Sequence, residues 1–138
     1  MMVAGDASAE APQPTSVVAW ACGASGARRE RPAECPDDVG PRLLVTFPDC
    51  WDGERTDSDD HRSHVAYSHQ GSCPTDHPTP IPQLQFAIDY PPVAPDGLSL
   101  ASGDIVTAHA DFWNTWDQRK LATEVDACLH RRLVCSLG

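Results

Sequence analysis

The segment DSDDHRSHVAY, residues 57–67, crowds three aspartates, two serines and two histidines into one short run. His61 and His64 stand three apart, a spacing that puts two imidazoles on one side of a helical turn and also lets them converge on a loop. Further along, His109 and Asp111 form an H-x-D pair. On a strand alternate side chains share a face, so this pair is placed to grip one ion or one substrate hydroxyl. Imidazole nitrogen and carboxylate oxygen together suit divalent metals such as zinc or manganese, and carboxylates alone suit calcium. The expected metal set is therefore His61, His64 and His109. Asp60 is the candidate general base, and Asp111 orients His109 or completes the coordination. With His109 they form the candidate catalytic group. The competing expectation is a solvated acidic loop whose aspartates hold backbone.

Several familiar chemistries are excluded. DCWDGERTDSDD, residues 49–60, has its glycine at the wrong step for an EF-hand and no closing glutamate, which leaves only an irregular calcium loop. No G-x-S-x-G elbow, Walker loop or H-E-x-x-H helix motif occurs, which sets aside the commonest serine hydrolase, nucleotide and metallopeptidase signatures. Paired carboxylates of a glycosidase remain open, with Asp52, Asp57, Asp60 and Asp111 as candidates. Trp51, Tyr67 and Trp113 flank the polar groups and are the expected sugar-stacking aromatics. Trp116 falls on the apolar side of a helical pattern and reads as core.

These residues must be positioned by a small and irregular scaffold. The chain has 138 residues, 41% hydrophobic, with 13 prolines and 9 glycines that break up long regular elements. Twenty acids against ten bases give a net charge of −10, which argues against a nucleic-acid partner, since phosphate needs a basic surface. No stretch reaches the length of a membrane span. The first residues, MMVAGDASAEAPQPTSVV, have neither the basic nor the apolar region of a signal peptide.

Six cysteines occur without a CxxC pair, which weakens a zinc-ribbon reading and favours three disulfides in an oxidising compartment. Fifteen pairings are possible. The sequential scheme Cys22–Cys35, Cys50–Cys73 and Cys128–Cys135 closes three local loops and is the expected one.

Residues 1–16 are small, Ala- and Pro-rich, and read as disordered. Residues 17–23 form a short buried strand, and 41–48 (PRLLVTFP) the best strand of the chain. A second short strand is expected in 64–74, turning at Gln70-Gly71. Residues 83–91 alternate Leu84, Phe86, Ile88 and Tyr90, a strand period. Two short strands are expected around a turn at Ser102-Gly103-Asp104. Beyond Asp111 the period changes. Trp113, Trp116, Leu121, Val125, Cys128 and Leu129 recur at three and four, which predicts one amphipathic helix with Asp117 as a cap. The expected fold is mainly β, loop-rich, disulfide-stapled and sandwich-like, with that single C-terminal α-helix.

Taken together, CWDG, DSDDHRSHVAY, GSCPTDHPTPIPQL, LASG and HADFWNTWDQRKL resemble the family called domain of unknown function 1996, of secreted actinobacterial and fungal proteins. Matching positions are Trp20 to Gly23, Cys35-Pro36, Cys50 to Gly53, Asp57 to Tyr67, Cys73 to Pro78 and His109 to Asp117. The family domain is longer, so the resemblance implies that residues 17–138 are the C-terminal part of an incomplete domain that needs an N-terminal half. It further implies an extracellular or cell-surface location, with His61, His64, His109 and Asp111 at motif positions. It implies no established activity. The resulting expectation is an extracellular His/Asp site that binds or processes cell-wall or other polysaccharide. The alternative is a non-catalytic structural or carbohydrate-binding module whose histidines and aspartates stabilise loops.

Overall fold

The computed structural model describes residues 1–131 and 133–135. In chain order its strands are β1 (Met2–Gly5), β2 (Val18–Cys22), β3 (Pro41–Thr46), β4 (Cys50–Trp51), β5 (Val65–Ala66), β6 (Thr79–Pro80), β7 (Gln85–Asp89) and β8 (His109–Phe112). One helix follows, α1 (Gln118–Glu124), and runs on into a π-helical turn at Val125–Leu129. The strands form three antiparallel sheets, ordered β2-β3-β7, β1-β8 and β5-β4-β6.

The run PRLLVT becomes the central strand because its consecutive Leu43, Leu44 and Val45 are all buried, one face against the main core and the other beside Arg42 and Thr46. Leu43 and Val45 point into the main core, while Leu44 and Thr46 are buried on the opposite face. Val18 and Trp20 of β2 lie opposite Val45 and Leu43, and Phe86 and Ile88 of β7 flank the same two residues. Across from this sheet, Ala4 of β1 and Ala108 close the core, with Met2, Ala110 and Phe112 packed beside them. Phe47 joins the layers, with its ring 5.1 Å from that of Phe86 and 6.1 Å from that of Phe112. The fold is therefore mainly β, built from packed antiparallel sheets.

The three sulfur bonds join Cys22 to Cys35, Cys50 to Cys73 and Cys128 to Cys135. Cys50 is fully buried at the centre of the third sheet. Among the described residues no helix is long and apolar enough to cross a membrane.

Four expectations are corrected. The N-terminal segment is not disordered at its start: β1 pairs with β8, and Ala4 is fully buried. Gln13 also donates to the carbonyls of Val106 and Ala108. Its small residues are a packing requirement. A Cβ on Gly5 would lie 2.4 Å from the Ala108 carbonyl oxygen, at a φ of +76° that favours glycine. After the turn at Ser102-Gly103 the chain makes a 3-10 turn at Ile105–Thr107, capped by Asp104, before the single strand β8. Trp116 is 55% exposed, outside the core. The helix begins at the expected cap, with Asp117 accepting from the Arg119 and Lys120 amides, but α1 itself buries no residue. Its apolar period is present without a partner surface among the described residues.

Candidate functional site

Residues 52–64 form a loop between β4 and β5, closed at its base where the Asp52 amide donates to the His64 carbonyl (3.1 Å). The Cys50–Cys73 bond and the β5-β4-β6 sheet hold that base. Strand β1 holds the far side. The Val3 amide donates to the His61 carbonyl (3.1 Å), and the Arg62 guanidinium donates to the Gly5 carbonyl (2.6 Å). From the third side, His77 Nε2 meets the Ser63 carbonyl at 3.2 Å.

Within the loop two aspartates bind backbone. Asp52 accepts from the amides of Glu54 and Arg55 and from Arg55 Nε, which draws its carboxyl down to about 2. Asp60 accepts from the amides of Arg62 and Ser63 and from the hydroxyls of Ser58 and Ser63. These donors hold it well below the usual carboxylate range, the Ser63 hydroxyl and amide first among them. Asp and Ser side chains favour such local turns because they reach their own backbone. Asp57 accepts from the Ser58 amide and meets His61 Nδ1 at 2.7 Å, and this imidazole contact is the main cause of its lowered pKa.

His61 and His64 diverge. His61 sits at φ +55°, in the left-handed region, so the backbone does not follow the helical turn on which a shared side depends. Its side chain is 38% exposed, whereas His64 is only 2% exposed. His64 Nδ1 lies 2.8 Å from Ser58 Oγ, and Ser58 in turn donates to Asp60. Serine has a single hydroxyl proton, and with that proton directed at Asp60 it is not shared with His64 Nδ1. A nucleophilic serine needs the opposite polarity, with its proton directed at the imidazole. Burial lowers the His64 pKa, so the ring is held neutral.

The H-x-D pair does share a face. His109 and Asp111 are both exposed on β8, with their inward neighbours Ala110 and Phe112 against the core. They lie opposite Gly5 and Val3, and β1 therefore separates them from the His61 backbone. Two strand spacings amount to about 10 Å. Among the described residues no three His, Cys, Asp or Glu side chains converge as a metal-ligand set. The geometry thus brings Asp57, Asp60 and His61 into one loop, buries His64 beneath it and leaves His109 with Asp111 on a neighbouring surface.

The aromatics divide as well. Trp51, on β4, is half-buried and its indole N–H donates to the Arg55 carbonyl. The Tyr67 hydroxyl donates to the Thr46 carbonyl (2.8 Å), and burial pushes its pKa up to about 12. Trp113 is 60% exposed just beyond β8. Over the loop lies a shallow depression of about 410 Å³, lined by Arg55, Asp57, Ser58, Asp59, Asp60 and Ser63.

Sequence reasoning missed Arg55, Arg62, Ser58 and His77, which tie the loop together. Only the D-G-E-R and D-H-R-S spacings carry a signal, an aspartate followed at two and three residues by amides it can cap.

No curated protein and no solved structure matches the chain. A family profile, Domain of unknown function (DUF1996), matches residues 1–116, which takes in every strand and the whole acidic loop and stops before α1. The match covers most of the chain, and the protein belongs to that family of unknown function.

Proposed function

We propose that this chain is a non-catalytic extracellular module that holds hydroxyl-rich polysaccharide, cell-wall glycan included, over the depression at residues 55–63. The observation that carries the reading is a preorganised polar surface. Asp57 and Asp59 offer carboxylate acceptors to solvent, and Arg55 supplies donors, on a loop whose backbone is already fixed by Asp52 and Asp60. Fixing such groups before a ligand arrives reduces the ordering cost of binding. The part-exposed Trp51 ring beside Arg55 supplies apolar surface of the kind sugar rings cover.

Two features favour binding over hydrolysis. Asp60, the candidate base, has its oxygens occupied by four donors and a strongly lowered proton affinity, the reverse of what a general base at neutral pH needs. His64, the candidate ligand or shuttle, is buried behind Ser58. The three disulfides support the extracellular assignment. Asp57, Asp59 and His61 border a neighbouring hollow without converging as a ligand set, so titration of zinc, manganese and calcium belongs in the same experiment as a control.

The test is calorimetric titration of soluble wall polysaccharides into the oxidised chain, with Asp59→Ala as the control. Asp59 makes no side-chain hydrogen bond among the described residues, so this variant keeps the loop while removing an exposed acceptor. Binding weakened about tenfold, or 1.4 kcal/mol, by Asp59→Ala is the expected result. A folded chain that retains no glycan, or one that cleaves it, would overturn the reading.

A further inference from the structure

We propose that β7 is a pairing edge through which two copies of this chain associate about a two-fold axis at Ala87. The backbone directions point to it. The Phe47 amide donates to the Leu84 carbonyl and the Tyr90 amide to the Pro41 carbonyl, both at 2.9 Å, so even-numbered residues of β7 turn their backbone groups towards β3. An antiparallel ladder alternates, and Gln85, Ala87 and Asp89 therefore turn theirs outward. None of those three has a backbone partner there among the described residues.

Other edges are treated differently. The β2 edge is closed by Arg29, which exchanges two 2.8 Å hydrogen bonds with Trp20. The β1 edge is closed by the His61 carbonyl. The outer edge of β8 is short and carries His109 and Asp111 at its free positions. β7 has five residues, QFAID, with no lysine, proline or bulge among them, the devices that normally blunt an edge.

The strand is also complementary to itself. Pairing Ala87 with Ala87 of the second copy sets Gln85 opposite Asp89, and Phe86 opposite Ile88, on both sides of the axis. The outward backbone groups then form six N–H···O bonds, and Ile88, 42% exposed in the single chain, gains an aromatic cross-strand neighbour. Charge does not oppose this seam. The strand's one acid, Asp89, is bound through both oxygens by Arg42 at 2.6 Å, so the edge is neutral in a chain of net charge −10. Repulsion between the rest of the two copies persists at low salt and is screened as salt rises. A single strand pairing also covers less than the roughly 1,200 Å² of a stable interface. The dimer is accordingly weak, concentration-dependent and favoured by salt.

Equilibrium sedimentation of the oxidised chain over a concentration series, at low and high salt, tests this. The mass is expected to rise towards twice that of the chain, more steeply at high salt. Ala87→Lys places two ammonium groups across the axis on an exposed position and is expected to weaken association at least about tenfold, with circular dichroism unchanged. Covalent capture fixes the register. Paired Cα atoms about 5.5 Å apart allow a disulfide, so Ala87→Cys is expected to link two copies, whereas Gln85→Cys, facing Asp89, is not. A single mass throughout, a dimer indifferent to Ala87→Lys, or equal capture by both thiol variants would each overturn the proposal. Association with an added extended peptide by an otherwise monomeric chain would assign the edge to another partner and overturn it as well.

Discussion

The acidic loop at 52–64 and the C-terminal helix show opposite ways of satisfying a short segment. The loop is polar, yet its aspartates bind backbone amides, and it is fastened by a disulfide, by β1 and by His77. The C-terminal helix has an apolar period and a formed cap, yet α1 buries no residue, and Trp116 before it and Leu129 at the end of the π-helical turn are more than half exposed. Polar side chains complete their bonding within a few residues of themselves. Apolar ones need a surface supplied from elsewhere. The loop is therefore integral to the fold, while the helix is an appendage closed on itself by Cys128–Cys135.

The largest expected effect comes from the disulfides. Replacing Cys50 and Cys73 with serine opens a separation of 23 residues and is expected to cost about 3 kcal/mol in denaturant unfolding. The same change at Cys128 and Cys135 is expected to leave the melting temperature of the β core nearly unchanged. Equal losses from both pairs would erase the contrast.

Next is Gly5→Ala. It forces a left-handed residue and a clash with the Ala108 carbonyl on the strand that fastens the loop, so a loss of about 2 kcal/mol is expected. Thermal unfolding reads it. An unchanged midpoint would mean that β1 is not part of the folded unit.

A smaller effect is in pH. His64 has a folded pKa below its ordinary 6.5, chiefly through burial, so the unfolded chain takes up the proton first. Its contribution is present above pH 6.5 and is lost as pH falls towards the folded value. His77 runs the other way. Asp76 raises its pKa, so its stabilisation is full below 6.5 and fades as pH rises through the folded value. A His64→Gln variant is expected to flatten the stability loss on the acid side, and His77→Gln the loss on the alkaline side. A reversed assignment in unfolding titrations would contradict the burial of His64. Asp52, drawn down from its ordinary 3.8 to about 2, contributes fully above 3.8 and loses that contribution as pH falls through the folded value.

The smallest effect separates neighbours. Asp60→Asn is expected to loosen the Arg62 and Ser63 amides, because an amide oxygen is a weaker acceptor than a carboxylate. Asp59→Asn is expected to change neither stability nor amide protection.

What was legible in the sequence follows the range of the forces involved. β3 and β7 were legible because burial imposes a short apolar run on one and alternation on the other, and the Asp117 cap because it acts across three residues. The turn at Gln70-Gly71 was equally local, with both residues at positive φ. β1 was hidden because MVAG is short and small, and its strand character comes from β8, more than a hundred residues away. The separation of His61 from His64 rests on one left-handed residue, which spacing alone does not reveal. The exposure of Trp116 was illegible for a related reason: periodicity marks a face and is silent on what covers it.

Amide hydrogen exchange across both segments tests the central contrast most directly. The Glu54, Arg55, Arg62 and Ser63 amides, bound by Asp52 and Asp60, are expected to be protected with the folded core. The amides of α1 should exchange faster than those of β3. A protected helix beside a freely exchanging acidic loop would contradict it.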